Sequence, residues 1–226
     1  MVYVYAVIEP RPDPPSAGGL AGASLRVLGT SELAAVVSDR DADLEVTEEA
    51  LWEHERVVEA LLDGGAVLPM RFGSVLADDQ AVEAMLTARR SELLAGLRRV
   101  RGAVELGVRA AWAPGAPERP ETPDDASEQG APGPGTAYLR GLGQRRRRAT
   151  ELVERLDADL AGLFRAQVHR VLPSPSVPVK SAYLVEREAV EAFQARVSTL
   201  DAKLEWARIV CSGPWPPYSF AGGQGT

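Results

Sequence analysis

Val2-Tyr3-Val4-Tyr5-Ala6-Val7-Ile8-Glu9 is the stretch that decides the fold. In an extended chain Val2, Val4, Ala6 and Ile8 fall on one face, and Tyr3, Tyr5 and Val7 on the other. A strand that is apolar on both faces has to be covered on both sides, so this one is expected at the centre of a sheet. Next to it, residues 10–22 are rich in Pro, Gly and Ala and read as a loop. Two short strands follow at 24–29 and 33–38, separated by a turn around Gly29-Thr30-Ser31.

Further out the period changes. Thr47 is placed to cap a helix that runs to Asp63, with Glu48 and Glu49 favourable to its dipole and Leu51, His54, Val58, Leu61 and Leu62 on one stripe. Residues 66–72 read as a strand that enters a turn at Gly73-Ser74. Asp78 or Asp79 caps a second helix carrying Val82, Met85, Leu86, Leu93 and Leu97. Residues 103–112 alternate as a strand with one wet face. The prolines and acids of 113–135 break all periodicity and mark a linker or long loop. The spacing then predicts a long helix over 136–171, a strand at 177–185, a helix at 187–201 and a strand at 204–211. The expected fold is therefore α+β in two domains. Residues 1–112 are expected to form a ferredoxin-like antiparallel sheet with helices on one face, and 136–226 an α-β-α-β domain with a long helix.

Composition narrows the function. A net charge of −7 argues against a nucleic-acid binder, which needs a basic footprint, and against docking on an anionic membrane. The single cysteine, Cys211, allows no internal disulfide and suits a reducing cytoplasm. The apolar run Val2–Ile8 is too short for a signal peptide, and none approaches the ~20 residues of a membrane helix.

Catalytic constellations are not expected. His54-Glu55 begins like a zinc-protease helix motif, but Val58 stands where the second histidine is needed, and the distant His169 and Cys211 make a poor ligand set. Cys211 lies on a strand that reads as core, and no G-x-S-x-G elbow is present. GLGQRR at 141–146 lacks the third glycine of a phosphate loop. Arg145 to Arg148 fan around a helix axis and read as a solvated face, with contact to an acidic protein partner as the alternative. No catalytic, cofactor or metal residue is assigned.

Two segments are more particular than packing demands. Leu68-Pro69-Met70-Arg71-Phe72-Gly73 carries a proline inside a strand, which forces an edge or a bulge, and an arginine that needs partners if buried. Gly213-Pro214-Trp215-Pro216-Pro217-Tyr218-Ser219-Phe220 presents three aromatics on a stiffened backbone, and these are expected to fold back onto the protein. With Tyr3-Val4-Tyr5-Ala6 and the helix bearing His54, these segments resemble the GvpF/GvpL family of gas vesicle proteins in the family's order and over nearly the whole chain. The resemblance implies a non-enzymatic structural or assembly protein of the gas vesicle, within the cytoplasm. It would bind the hydrophobic main shell protein and other accessory proteins, with no nucleic acid, membrane or cofactor involved. The motif residues His54, Leu68, Pro69, Arg71, Phe72, Gly73, Gly213, Pro214, Trp215, Pro216, Pro217, Tyr218 and Phe220 are its candidate interaction positions. The alternative is a ferredoxin-like module binding a small ligand or acting as a regulator.

Overall fold

The structure, a computed structural model, describes residues 1–11, 13–40, 45–113, 134–172 and 177–222, with backbone alone over 134–140. Most of the expected linker, residues 114–133, lies outside the described residues. The chain divides into two compact units, one of Met1–Glu105 with Pro214–Thr226 and the other of Leu106–Gly213. The C-terminal aromatic segment, expected with the second domain, groups with the first unit.

In the first unit, strand β1 (Val2–Ile8) is flanked by the hairpin β2 (Leu25–Gly29) and β3 (Ala34–Asp39) on one side and by β4 (Val67–Pro69) and β5 (Val75–Leu76) on the other. Every residue of β1 is buried, as a central strand requires. The face assignment differs from strict alternation. The register against β3 shifts between Val4 and Ala6, a bulge at Tyr5. The extra residue turns the strand over. Tyr3, Tyr5, Ala6 and Ile8 therefore join one core cluster with Val57, Val58 and Leu61 of helix α1 (Glu48–Leu62).

Thr47 caps α1 by accepting from Ala50 N at 3.1 Å. Leu51, expected on the buried stripe, is exposed, and Val57 takes its place in the core. The expected single second helix is two, α2 (Asp79–Ala88) and α3 (Arg90–Val100), because the backbone leaves helical geometry at Arg89. Asp78 caps α2. A Cβ at Gly96 of α3 would stand 3.0 Å from Leu68 Cδ1, so glycine here lets the helix lie close on β4.

The second unit contains the β-α-β-β-α-β order of a ferredoxin-like layout. Its elements are β6 (Ala103–Trp112), α4 (Pro134–Asp159), β7 (Ala166–Val171), β8 (Val179–Glu186), α5 (Val190–Lys203) and β9 (Ala207–Trp215). The strands lie in the order β7-β8-β6-β9. The layout expected in the N-terminal half thus runs over 103–215, and β6 belongs to this sheet. The long helix predicted to reach Val171 ends at Asp159. Gly162 turns with φ +82°, and Ala166–Val171 pairs antiparallel with β8. Leu163 and Phe164 pack on the core from the turn, so the three-and-four spacing of their apolar side chains imitates a continuing helix.

Both α4 and α5 cover one face of this sheet. Ala149, Leu152 and Leu156 of α4 and Phe193, Val197 and Leu200 of α5 share a cluster with Leu106, Val108, Tyr183 and Ile209 of the strands. Arg148 leaves the expected solvated face and stacks over Trp112 and Trp206, 4.6 and 5.3 Å from their ring centres, while Arg145, Arg146 and Arg147 are exposed.

Candidate functional site

The motif residues of the first unit converge on His54. Its ring is buried, with Nδ1 2.9 Å from Tyr3 Oη and Nε2 3.1 Å from both Met70 O and Tyr218 Oη. Burial lowers its pKa to about 4, so the ring is neutral near pH 7. A neutral imidazole carries one proton, and Met70 O can only accept. Nε2 is therefore the donor. Nδ1 accepts from the Tyr3 hydroxyl, whose oxygen accepts from Gly73 N at 3.1 Å. Burial pushes the Tyr3 phenol up to about 12, and the hydroxyl stays protonated as this chain of bonds requires.

The geometry follows from local sequence. Pro69 pairs with Ala6 of β1, and pairing resumes only at Val75 opposite Tyr3. Met70 N still donates to Tyr5 O and Ser74 O still accepts from Val4 N, so residues 71–73 form an arch off the sheet, and Gly73 makes the return with φ +88°. The arch presents Met70 O and Gly73 N to the histidine and tyrosine, and Phe72 closes it edge-on to both rings. Tyr5 stacks on His54 with ring centres 5.7 Å apart, and its hydroxyl bonds Ser38 Oγ and Leu20 N.

The tail completes the cluster. Pro216 and Pro217 are buried, and Tyr218 opens a one-turn helix, α6 (Tyr218–Ala221). The Tyr218 hydroxyl donates to Glu55, and burial followed by that carboxylate raises the phenol above its usual range. Burial raises the Glu55 carboxyl in turn. Arg99 Nη2 donates to Phe220 O at 2.6 Å, and Ser219 donates twice to Glu105. Phe220 is buried.

Not every motif residue joins. Arg71, which would need partners if buried, is exposed, and its side chain makes no hydrogen bond or ion pair among the described residues. Trp215, expected to pack with Tyr218 and Phe220, is 42% exposed. Gly213, with φ +108°, and Pro214 lie on β9. The sequence reading missed Glu55 and Tyr3 as polar partners, since only the fold brings them to the histidine.

A second polar network, also missed, lies under α4. Asp157 Oδ2 is 3.0 Å from His169 Nε2, His169 Nδ1 is 2.8 Å from Ser181 Oγ, and the Tyr183 hydroxyl donates to Asp157 Oδ1 at 2.9 Å. The residue types are those of a hydrolase triad. Ser181, however, faces the helix side of the sheet, 6% exposed, where the network ties α4 to β7 and β8. Burial pushes the half-buried Cys211 thiol up, away from the thiolate that reactive cysteines need. Among the described residues no group of three His, Cys, Asp or Glu side chains could hold a metal ion.

The fold and this cluster define an α+β protein of two antiparallel sheets whose distinctive sequence motifs close on one another around a neutral histidine. The family model for gas vesicle synthesis protein GvpL/GvpF matches residues 1–222, and the chain belongs to that family. It is 34% identical to gas vesicle protein F of Streptomyces sp. (strain CB03234), over 87% of each chain. It is 33% identical to gas vesicle protein L of the same strain, over 97% of this chain and 92% of that one. The crystal structure of GvpF from Microcystis aeruginosa superposes with a TM-score of 0.79 at 20% identity, covering 97% of this chain and 98% of the other, and shows the same fold.

Proposed function

We propose that this protein acts without catalysis in gas vesicle formation in the cytoplasm, by binding the small hydrophobic main shell protein together with other accessory proteins. The observation that carries the reading is an exposed apolar face at the start of α1. Val46, Leu51 and Trp52 are 78%, 40% and 59% exposed. Val46 and Leu51 hold the two positions of a hydrophobic staple about the Thr47 cap, which accounts for them in part. Trp52 has no such local role. Among the described residues its indole donates only to Glu48, one turn back, at 3.4 Å. Exposed tryptophan beside aliphatic side chains is the kind of surface from which binding hot spots are made. No helix among the described residues is long and apolar enough to cross a membrane.

Trp52→Ala tests the proposal in cells that lack the native gene and carry the rest of the gas vesicle cluster. Loss of a hot-spot tryptophan costs about 2 kcal/mol or more of binding, roughly thirtyfold in affinity. The variant is expected to leave the cells sinking while the purified protein changes by less than about 0.5 kcal/mol in stability, as a surface substitution does. Flotation restored as by the wild type overturns the assignment of this face.

A further inference from the structure

We infer that the face of the second unit's sheet opposite α4 and α5 docks an acidic segment of a partner protein. This surface lies in a different unit from the α1 face and does not depend on it. Because α4 and α5 both pack on one side, side-chain alternation assigns Arg109 of β6, Lys180 of β8 and Arg208 and Val210 of β9 to the other. The register pairs Arg170 of β7 directly with Lys180 and so brings it to the same face. Each of the four strands thus contributes one cation.

All four cations are exposed, and none forms an ion pair among the described residues. Glu186, on the same face of β8, is already held by Arg165. Like charges directly opposite on adjacent strands destabilise a sheet, and Arg170 facing Lys180 is such a pair. Glu105, on the same face of β6, already accepts from Ser219. In a chain of net charge −7, a row of exposed cations without ion pairs on this face is complementary to an acidic partner. Val210, 61% exposed, adds an apolar contact beside the row. A single-stranded nucleic acid would need aromatic side chains on this face to stack its bases, and Ala111, Ala182 and Val210 stand between the cations instead.

Fluorescence anisotropy with a labelled polyglutamate peptide, and separately with a labelled oligouridine, tests the inference on the full chain. Saturable peptide binding that weakens with salt is expected, and a loss of more than about tenfold in the Arg109→Glu, Lys180→Glu double variant. Lys180→Glu alone is expected to weaken peptide binding without lowering the melting temperature, since it gives Arg170 an opposite charge across the strands. A variant with Arg145, Arg146 and Arg147 changed to Ser is expected to bind as the wild type does. Three results each overturn the inference: no saturable peptide binding, loss in the Arg145–Arg147 variant with none in the sheet variants, or oligouridine bound more tightly than the peptide.

Discussion

Removal of residues 214–226 is expected to lower the melting temperature of the isolated protein by more than about 10 °C, a loss on the order of 5 kcal/mol. Pro216, Pro217 and Phe220 of this segment are buried in the first unit. Phe220 is buried there, and burying one such ring contributes on the order of 1.5–3 kcal/mol. Truncation also strips the Tyr218 hydroxyl from His54, the backbone acceptors from Arg99 and both Ser219 donors from Glu105. Burial already raises the Glu105 carboxyl, so losing its two donors leaves a poorly solvated acid behind. Phe220→Ala isolates the packing contribution, with an expected loss of about 3–5 kcal/mol. The rival role for the tail is a hydrophobic hook for a partner. A truncated protein that melts like the full chain and fails only in binding establishes the hook and refutes the docked tail.

His54→Ala is expected to cost about 4 kcal/mol near pH 7, on the order of 10 °C in melting temperature. It opens a cavity beneath Tyr5 and leaves Tyr3 Oη and Met70 O without their partner. The pH dependence distinguishes this network from ordinary packing. The folded ring titrates at about 4, below its ordinary value of 6.5, so it is the neutral form that folding favours. As pH falls from 6.5 to about 4, the unfolded histidine gains a proton that the folded one does not, and the wild type loses stability. The full effect is on the order of 3 kcal/mol. The alanine variant lacks this loss, so the gap between the two proteins should shrink to roughly 1 kcal/mol by pH 4 in denaturant titrations. A gap that stays constant from pH 7 to pH 4 contradicts a buried neutral histidine.

Local signals served well where one element carried its own instructions. Thr47 and Asp78 cap as expected, the doubly apolar β1 is central, and Pro69 marks the place where strand pairing stops. The misreadings arise where two structures share one pattern. The bulge at Tyr5 left no trace, because every residue from Val2 to Ile8 suits an interior on either face. Leu163, Phe164, Val168 and Val171 keep helical spacing although a turn and a strand hold them. The break at Arg89 comes between two good helix patterns with no proline or glycine to announce it. The role of His54 was out of reach for another reason. Its partners Tyr3 and Tyr218 lie 51 and 164 residues away, and only the assembled sheet brings them within hydrogen-bond distance.

The motif segments of the first unit meet around His54, but which of their atoms bond there is visible only in the geometry. Leu68, Pro69, Phe72 and Gly73 shape and close an arch whose backbone, at Met70 and Gly73, does the bonding. The surface positions proposed for binding are Leu51 and Trp52 on α1, of which Leu51 was read as part of the core stripe and Trp52 was not singled out.

The most direct measurement is retention of the main shell protein by the purified, tagged full chain when both are expressed with the complete gas vesicle cluster. The wild type is expected to hold the shell protein. The Leu51→Ser, Trp52→Ala variant is expected to hold less than about a tenth as much, since hot-spot losses of 2 kcal/mol exceed a factor of ten. Its melting curve should remain that of the wild type. Equal retention by both proteins, or none by the wild type, contradicts the account.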